Sequence, residues 1–528
     1  MLGRVFVMVC VLPLSSQDQC EGIKGKAMRK LKCGEIALEE EKIPEEKRKE
    51  FKLKHPGEMV QEHYADLPYP PFSLSDMARE MSYYVGTVRD RPLFQQFTNN
   101  LDMLNHHLYK GNQNFVRKFR VLIAGGGTGS SACYMGEELR HTNAQIVYLD
   151  FSPASLAIAQ QRAGIRQLDN VQFLLGSIEQ IPHLGLGHFD YVESTGVLHH
   201  LPSPEQGLQV LADSLGDEGG GNLMLYAKYG RTGVYQMQDL VRMVNEDVYD
   251  RDMELANLYH LLRAMGSGVF TRHSLLRRLD FGIDNSSTFY DRILHPEVQA
   301  LGSQDEVDGE AYDRFCHKQD RAFSIPEMYN FLKSAGLNFV SFNRPHEMQK
   351  FEIDSLNLDA VQQKNIALMT KMDQHAIAEI IHGSINGHSF YFSKQQNPTA
   401  ELHNDLIPFL FGRPVGLEES LKKHEDIQQK TIFRASCSFE KTEFKLEFTL
   451  TQTLLQVFKY LFNNNKHTLG EISYLISKSH GVQEEEVRED FKELYSSAGR
   501  HGLLLLTNKT TGKEHSGLSR GLQLFFCS

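Results

Sequence analysis

The sequence predicts an α/β protein built on a doubly wound, mostly parallel sheet, with a helical insertion after the sheet and a smaller C-terminal unit. Three observations carry this. First, Val121-Leu122-Ile123-Ala124 runs straight into Gly125-Gly126-Gly127-Thr128-Gly129, and Ser130-Ser131-Ala132 opens a helix-like stretch to Leu139. That is a buried strand, a tight turn and a helix start. Second, residues 119–228 alternate short apolar runs with helical ones, the pattern of parallel strands with helices on both faces. Third, 528 residues exceed one ordinary domain, and an apolar fraction of 41% fills more than one core.

Composition narrows the function. The formal charge of −11 gives no overall basic character, so no nucleic-acid partner is expected. The seven cysteines are scattered, odd in number and without a Cys-x-x-Cys pair. That argues for a reducing, cytoplasmic setting and against a zinc module or disulfide scaffold. No stretch reaches transmembrane length, so no membrane span is expected. Arg4 followed by the apolar run Val5–Leu14 and Ser15-Ser16 has the outline of a signal-peptide core, the minor alternative.

In chain order, residues 1–55 read as a polar arm with mixed charge runs such as Glu45-Glu46-Lys47-Arg48-Lys49-Glu50. The domain 56–395 begins with Tyr64–Phe72, whose prolines and aromatics suit a clamp packed on the main domain. Its strands are expected at Arg120–Ala124, Gln145–Leu149, Val171–Leu175, Phe189–Glu193 and Asn222–Ala227, the last after a turn at Gly219-Gly220-Gly221. Helices are expected at Ser155–Ala163 and Glu205–Leu215, then at Gln236–Val248 and Met253–Ala264. Asp291–Pro296 reads as a turn. Ser324 and Glu327 have the spacing of a capping box, for a helix to Ser334 with Gly336 as its stop. A late strand follows at Leu337–Phe342. The unit 396–528 opens as a loop and continues as a strand (Lys441–Thr449), three helices (Gln452–Phe462, Leu469–Ser477, Val482–Tyr495) and a strand (Leu503–Thr507). That order is winged-helix-like. The third helix carries Glu484, Glu485, Glu486, Glu489, Asp490 and Glu493, which repel phosphate, so it reads as a packing, protein-contact or dimerisation module.

The glycine turn brings a ligand close to the main chain, and the helix after it offers free N–H groups. Two readings fit. Gly127-x-Gly129-x-x-Ala132 with Asp150 about twenty residues on satisfies a dinucleotide pattern. Gly125-x-Gly127-x-Gly129 satisfies a methyl-donor pattern. The turn alone does not choose between them.

Three later segments do. Val171–Pro182, Phe189–Pro202 and Gly219–Tyr226 follow the turn in an order and spacing that resemble class I S-adenosylmethionine-dependent methyltransferases over residues 115–230. The resemblance implies a Rossmann-like sheet and S-adenosylmethionine as cofactor. It implies that Gly125, Gly126, Gly127 and Gly129 border the methionine part and that the Asp150 carboxylate accepts from both ribose hydroxyls. Phe151, Ser177 and Ile178 would pack around adenine, and Glu193 or Ser194 would close the methionine end. This chain departs from the pattern twice. Ile123 stands where many members carry an acid, and Ser177 where many carry Asp. The departures leave open a relative that keeps the fold as a non-catalytic scaffold.

Methyl transfer needs a positioned acceptor, and a base if that acceptor arrives protonated. His199 and His200, just past the fourth strand, are the candidate bases, with Glu193 as a further acid–base group. Tyr226, Tyr229 and Arg231 follow the fifth strand and are candidates to line the pocket of a small-molecule acceptor; a protein acceptor is the alternative. A nicotinamide-dependent oxidoreductase would need a Tyr/Lys pair, and Tyr226-x-Lys228 is too short for one. His295, Asp313, His317 and Asp320 match no compact metal-ligand spacing, so no metal is expected.

Overall fold

The computed structural model describes residues 99–246, 251–266, 304–410, 417–423, 430–439, 442–462, 466–499 and 503–508. The N-terminal arm, the clamp at 64–72 and the turn at 291–296 lie outside the described residues.

Seven strands make one sheet: β1 (Arg120–Ala124), β2 (Gln145–Asp150), β3 (Val171–Leu175), β4 (Phe189–Thr195), β5 (Leu215–Tyr226), β6 (Asn338–Phe342) and β7 (Gly387–Ser393). Their order is β3-β2-β1-β4-β5-β7-β6. β1 to β5 run parallel, and β7 is antiparallel to both β5 and β6. Strand order reverses between β1 and β4, so a crevice forms at their carboxyl ends.

Alternation within β1 explains the layers. Val121 and Ile123 point into one apolar cluster, Leu122 and Ala124 into the other. Helices α1 (Leu101–Leu108), α2 (Ser130–Glu138) and α3 (Pro153–Ile165) contribute to the first cluster, and α4 (Pro204–Ser214) to the second. Then α5 (Thr232–Val244), α6 (Arg251–Gly266) and α7 (Gln304–Phe315) form the helical insertion around Val234, Met237, Leu258, Leu262 and Phe315. Beside β6 and β7 lie α8 (Ile325–Ser334), α9 (Pro345–Lys350), α10 (Ala360–Ala367) and α11 (Lys371–His382). The α8 start is as the sequence predicts: Ser324 N donates to Glu327 Oε2 at 2.8 Å, with Pro326 in the first turn.

Gly219-Gly220-Gly221 is no turn. The three glycines lie inside β5, where a Cβ on Gly221 would fall 2.2 Å from the Val192 carbonyl oxygen and one on Gly220 2.9 Å from that of Phe392. They let β4 and β7 close on β5. The helices expected at Gln236–Val248 and Met253–Ala264 begin earlier, at Thr232 and Arg251.

The C-terminal unit comprises β8 (Ile407–Leu410), α12 (Leu417–Lys422), β9 (Thr431–Phe439), β10 (Thr442–Leu450), α13 (Gln452–Phe462), α14 (Leu469–His480), α15 (Glu484–Ala498) and β11 (Leu504–Thr507). The three long helices come in the expected order. The strand expected at Lys441–Thr449 is the second arm of the β9–β10 hairpin, which stands before those helices, and β11 pairs with β8 inside the expected loop. On α15, Arg488 is held by Glu484 and Glu485, while Asp490 accepts from the Thr451 hydroxyl and Glu493 from Thr449 N. The unit shares one apolar cluster with α1. Asn105 Nδ2 donates to Thr507 Oγ1 at 2.8 Å, and Leu506 N donates to His106 Nδ1 at 3.1 Å. Among the described residues no helix is long and apolar enough to cross a membrane.

Candidate functional site

The crevice is built on the β1 turn. Gly125, Gly127 and Gly129 have φ of 78°, 52° and 90°, in the left-handed region. A Cβ on Gly126 would lie 2.2 Å from the Tyr148 ring, and one on Gly125 2.5 Å from Val197. The turn therefore has walls only glycine tolerates. Its N–H groups, however, are largely committed. Gly125 N and Gly126 N donate to the Leu149 carbonyl, Gly127 N to Asp150 Oδ2 and Gly129 N to the Gly126 carbonyl. The glycine donors are thus used within the turn. The reason is local: β2 runs directly beneath and takes those protons. The free N–H groups expected of the helix start belong to α2, which begins at Ser130.

Asp150 ends β2, is buried, and is the hub of the turn. Oδ2 accepts from Gly127 N and Oδ1 from Ser152 N, each at 2.8 Å. Burial raises its pKa, opposed by N–H donors of Ser152, Gly127 and Phe151. Each carboxylate oxygen carries two lone pairs, so both keep capacity for a further donor. Phe151 is half-buried beside it. Across the crevice Ser177 is half-buried, with its N–H donating to Gln180 Oε1 at 2.9 Å. Ile178 is buried among Leu149, Leu174 and Ala124 in the core, so Ser177 rather than Ile178 reaches the mouth. Ile123 is core as well.

At the end of β4, the Ser194 hydroxyl donates to the Ala124 carbonyl at 2.9 Å, tying β4 to β1. Glu193 is 2% exposed, and its Oε1 accepts from Ser131 Oγ at 3.0 Å and Thr195 Oγ1 at 2.5 Å. Burial raises its pKa, opposed by the Thr195 and Ser131 hydroxyls. The carboxylate is thus occupied pinning the start of α2 to β4. Thr195, Gly196 and Val197 are the half-exposed residues beyond.

His199 and His200 enter a stack of flat groups past the β4 and β5 ends. The Arg231 guanidinium lies 3.5 Å from the Tyr226 ring centre and the His199 ring 3.9 Å from it, so they occupy opposite faces. His200 lies 4.2 Å from His199 and stacks on His317 at 4.0 Å. His200 Nδ1 donates to the Gln319 carbonyl at 3.1 Å, and the His199 carbonyl accepts from Arg321 N at 3.0 Å. Both ring nitrogens of His199 are buried and have no hydrogen-bond partner. Burial holds the His199 pKa well below the usual histidine range, helped by His200, Arg231 and His317, so its imidazole is neutral. Burial also lowers His200, against Asp313 and the Gln319 carbonyl. Tyr229 is exposed, apart from the stack. Asp320, 3.5 Å from Arg231 Nη2, joins this cluster, but among the described residues no group of acidic, His or Cys side chains is arranged to hold a metal.

Two contributors escape the sequence. Arg162 on α3 is buried and donates from Nη1 to the Thr128 carbonyl at 2.7 Å and to Ser130 Oγ at 3.1 Å. Gln319 belongs to the 319–323 segment that roofs the histidines, with Phe323 bridged parallel to Ala227. An arginine in helical register with the buried Ile158 and Ala159 was the available sign of the first. The second has none, because that segment is brought back over the sheet by the insertion.

The methyltransferase-domain family matches residues 122–221. An uncharacterized protein of Synechococcus sp. is 28% identical over 305 residues, 56% of this chain and 65% of that protein. The alignment thus spans just under two thirds of the relative. The structure of PKMT2 from Rickettsia typhi in complex with AdoHcy superposes with a TM-score of 0.54 at 14% identity, over 78% of this chain and 76% of that one. Without the AdoHcy complex, PKMT2 gives a TM-score of 0.52 over the same shares. At such identity these structures establish the fold.

Proposed function

We propose that the chain, whose residues 122–221 match a methyltransferase domain, transfers a methyl group from S-adenosylmethionine to a small-molecule acceptor bound at the carboxyl ends of β4 and β5. The observation that carries it is the crevice itself: a glycine turn walled by Tyr148 and Val197, with the Asp150 carboxylate beside it and its lone pairs incompletely used.

The residues present fit the cofactor. Gly125, Gly126, Gly127 and Gly129 hold the main-chain turn that would border its methionine part, packed against Val197, Tyr148 and Ala159, Asp150 has lone pairs for ribose hydroxyls, and Phe151 and Ser177 flank the adenine side. When bound, S-adenosylmethionine supplies an electrophilic methyl on a sulfonium, which passes in line to the nucleophile and leaves S-adenosylhomocysteine. Everything else is done by side chains. His199, neutral and unpartnered, takes the proton the nucleophile gives up. His200 is committed to Gln319 and supports that ring. Glu193 positions α2 and the turn. Tyr226 and Arg231 shape the acceptor side. The closed surroundings of the stack favour a small acceptor over a protein side chain. Residues 396–528 serve as a packing or protein-contact module.

The test is calorimetric titration of the purified chain with S-adenosylmethionine, S-adenosylhomocysteine and NADH, with Asp150→Ala as control. Micromolar binding of the first two, lost in the variant, is expected. Binding of NADH alone would turn the reading to an oxidoreductase, and silence from all three to a scaffold.

A further inference from the structure

We propose that the acceptor carries a carboxylate, received on the Nε–Nη2 edge of Arg231. This rests on the methyltransferase reading of the same crevice and adds the chemical class of the acceptor.

Arg231 sits at the start of α5 and is 7% exposed. Its guanidinium plane is fixed on the Tyr226 ring. Nε and Nη2 are buried and neither makes a well-formed hydrogen bond; the Tyr235 hydroxyl, likewise without one, lies against the same guanidinium. These two N–H groups share one edge and point the same way, the fork that matches the two oxygens of a carboxylate. The nearest carboxylate, Asp320, stands 3.5 Å from Nη2, beyond hydrogen-bond length for a well-made pair, and its Oδ2 already accepts from Gln238 Nε2 at 3.1 Å. Asp320 balances the charge of Arg231 without filling its fork.

The fork is not alone. Both nitrogens of His199, on the other face of Tyr226, lack partners, and so does the buried Gln319 Oε1. Buried polar atoms are ordinarily satisfied. Here a donor edge and an imidazole lie open on the two faces of Tyr226, and an amide oxygen is left open on the segment bonded to His200. A ligand with an anionic end for Arg231 and a protonated nucleophile for His199 satisfies them together. Asp313 is buried in the same cluster, as is the side chain of Asp320, and the two disfavour a dianion more than a monoanion, which selects a carboxylate over a phosphate.

The experiment uses the full chain saturated with S-adenosylhomocysteine and titrated with benzoate, a planar monoanion whose ring suits the Tyr226–His199 stack, and separately with inorganic phosphate. Benzoate is expected to bind. Arg231→Gln weakens it at least about tenfold, and Arg231→Lys does the same because lysine lacks the fork, while S-adenosylhomocysteine affinity stays within about threefold. Asp320→Asn removes the competing carboxylate and tightens benzoate about threefold or more, a readout that stands even if the arginine variants do not fold. The proposal is overturned by equal benzoate binding to Arg231→Gln, by no benzoate binding to the loaded chain, by phosphate binding more tightly than benzoate, or by no gain in Asp320→Asn. If S-adenosylhomocysteine itself does not bind, the methyltransferase reading falls and takes this one with it. If it binds and benzoate does not, only the carboxylate falls.

Discussion

Asp150→Asn separates two jobs that one carboxylate performs. The native side chain accepts from Gly127 N and Ser152 N at 2.8 Å each, one on each oxygen. Asparagine keeps the shape but has one acceptor oxygen; its amide nitrogen must take the place of the oxygen facing either Gly127 N or Ser152 N. One hydrogen bond to a charged group is lost, worth about 1.5–3 kcal/mol. Partial compensation comes from no longer burying an ion, since burial already raises this carboxyl's pKa. The loss falls on whichever donor is left facing the amide. In either orientation one backbone N–H loses its acceptor, so the turn loosens, and the amide nitrogen no longer accepts from a ribose hydroxyl, so S-adenosylhomocysteine binding weakens about tenfold or more at 1.4 kcal/mol per tenfold. Calorimetric titration with S-adenosylhomocysteine, paired with urea denaturation, reads the two effects. Unchanged affinity with a lowered denaturation midpoint would refute the reasoning, because Asp150 would then be a brace for the turn and nothing more.

Four further outcomes follow from the same geometry. Gly129→Ala puts a Cβ 2.6 Å from that of Ala159 at a φ of 90°, and should lower the urea-unfolding free energy by about 2 kcal/mol or more; an unaltered midpoint would mean α3 yields freely. Glu193→Gln keeps the oxygen that accepts from Ser131 and Thr195, so kcat/KM should drop less than about tenfold, whereas a loss near 10³ would put the carboxylate in the chemistry. His199→Gln should lower kcat about 10²- to 10⁴-fold in single-turnover assays with S-adenosylhomocysteine affinity kept, and an unaltered kcat would remove it as the base. His106, lowered by burial from 6.5 to about 4 against a hydrogen bond from Leu506, is neutral when folded and takes a proton below about 6.5 when unfolded. The unfolded chain then binds more protons, so stability falls as pH drops from 6.5 toward 4, by up to about 3 kcal/mol; a flat urea midpoint across that range would show His106 is not buried in solution.

The parallel half of the fold was legible because its signals are local. Val121–Ala124, Val171–Leu175 and the glycine turn each declare themselves within a few residues, and β1 and β3 have the expected bounds. β7 was missed, since Gly387–Ser393 reads as a mixed polar run until β5 and β6 close on both sides of it. The glycines of β5 were misread because glycine marks a turn and a close strand approach with the same letter. In the site, the type and neighbourhood of Asp150, Ser177, His199 and Arg231 were readable, but their partners were not. That Glu193 is pinned by Ser131 depends on α2 packing across the end of β4, that Arg231 covers Tyr226 on the bend between β5 and α5, and that His200 meets His317 on the insertion returning over the sheet.

The joint between α1 and β11 sets a timetable for synthesis. Asn105 and Thr507 are 402 residues apart in the chain. At roughly 5–20 residues per second a ribosome needs about 20–80 s to travel between them. For that interval α1 has no strand to receive Asn105 and no amide to fill His106, although the sheet it covers is already complete by residue 393. The nascent protein therefore passes through a state with its central sheet assembled and one flank of α1 uncovered, and only the arrival of β11 closes it. Truncation near the C-terminus would make that passing state permanent.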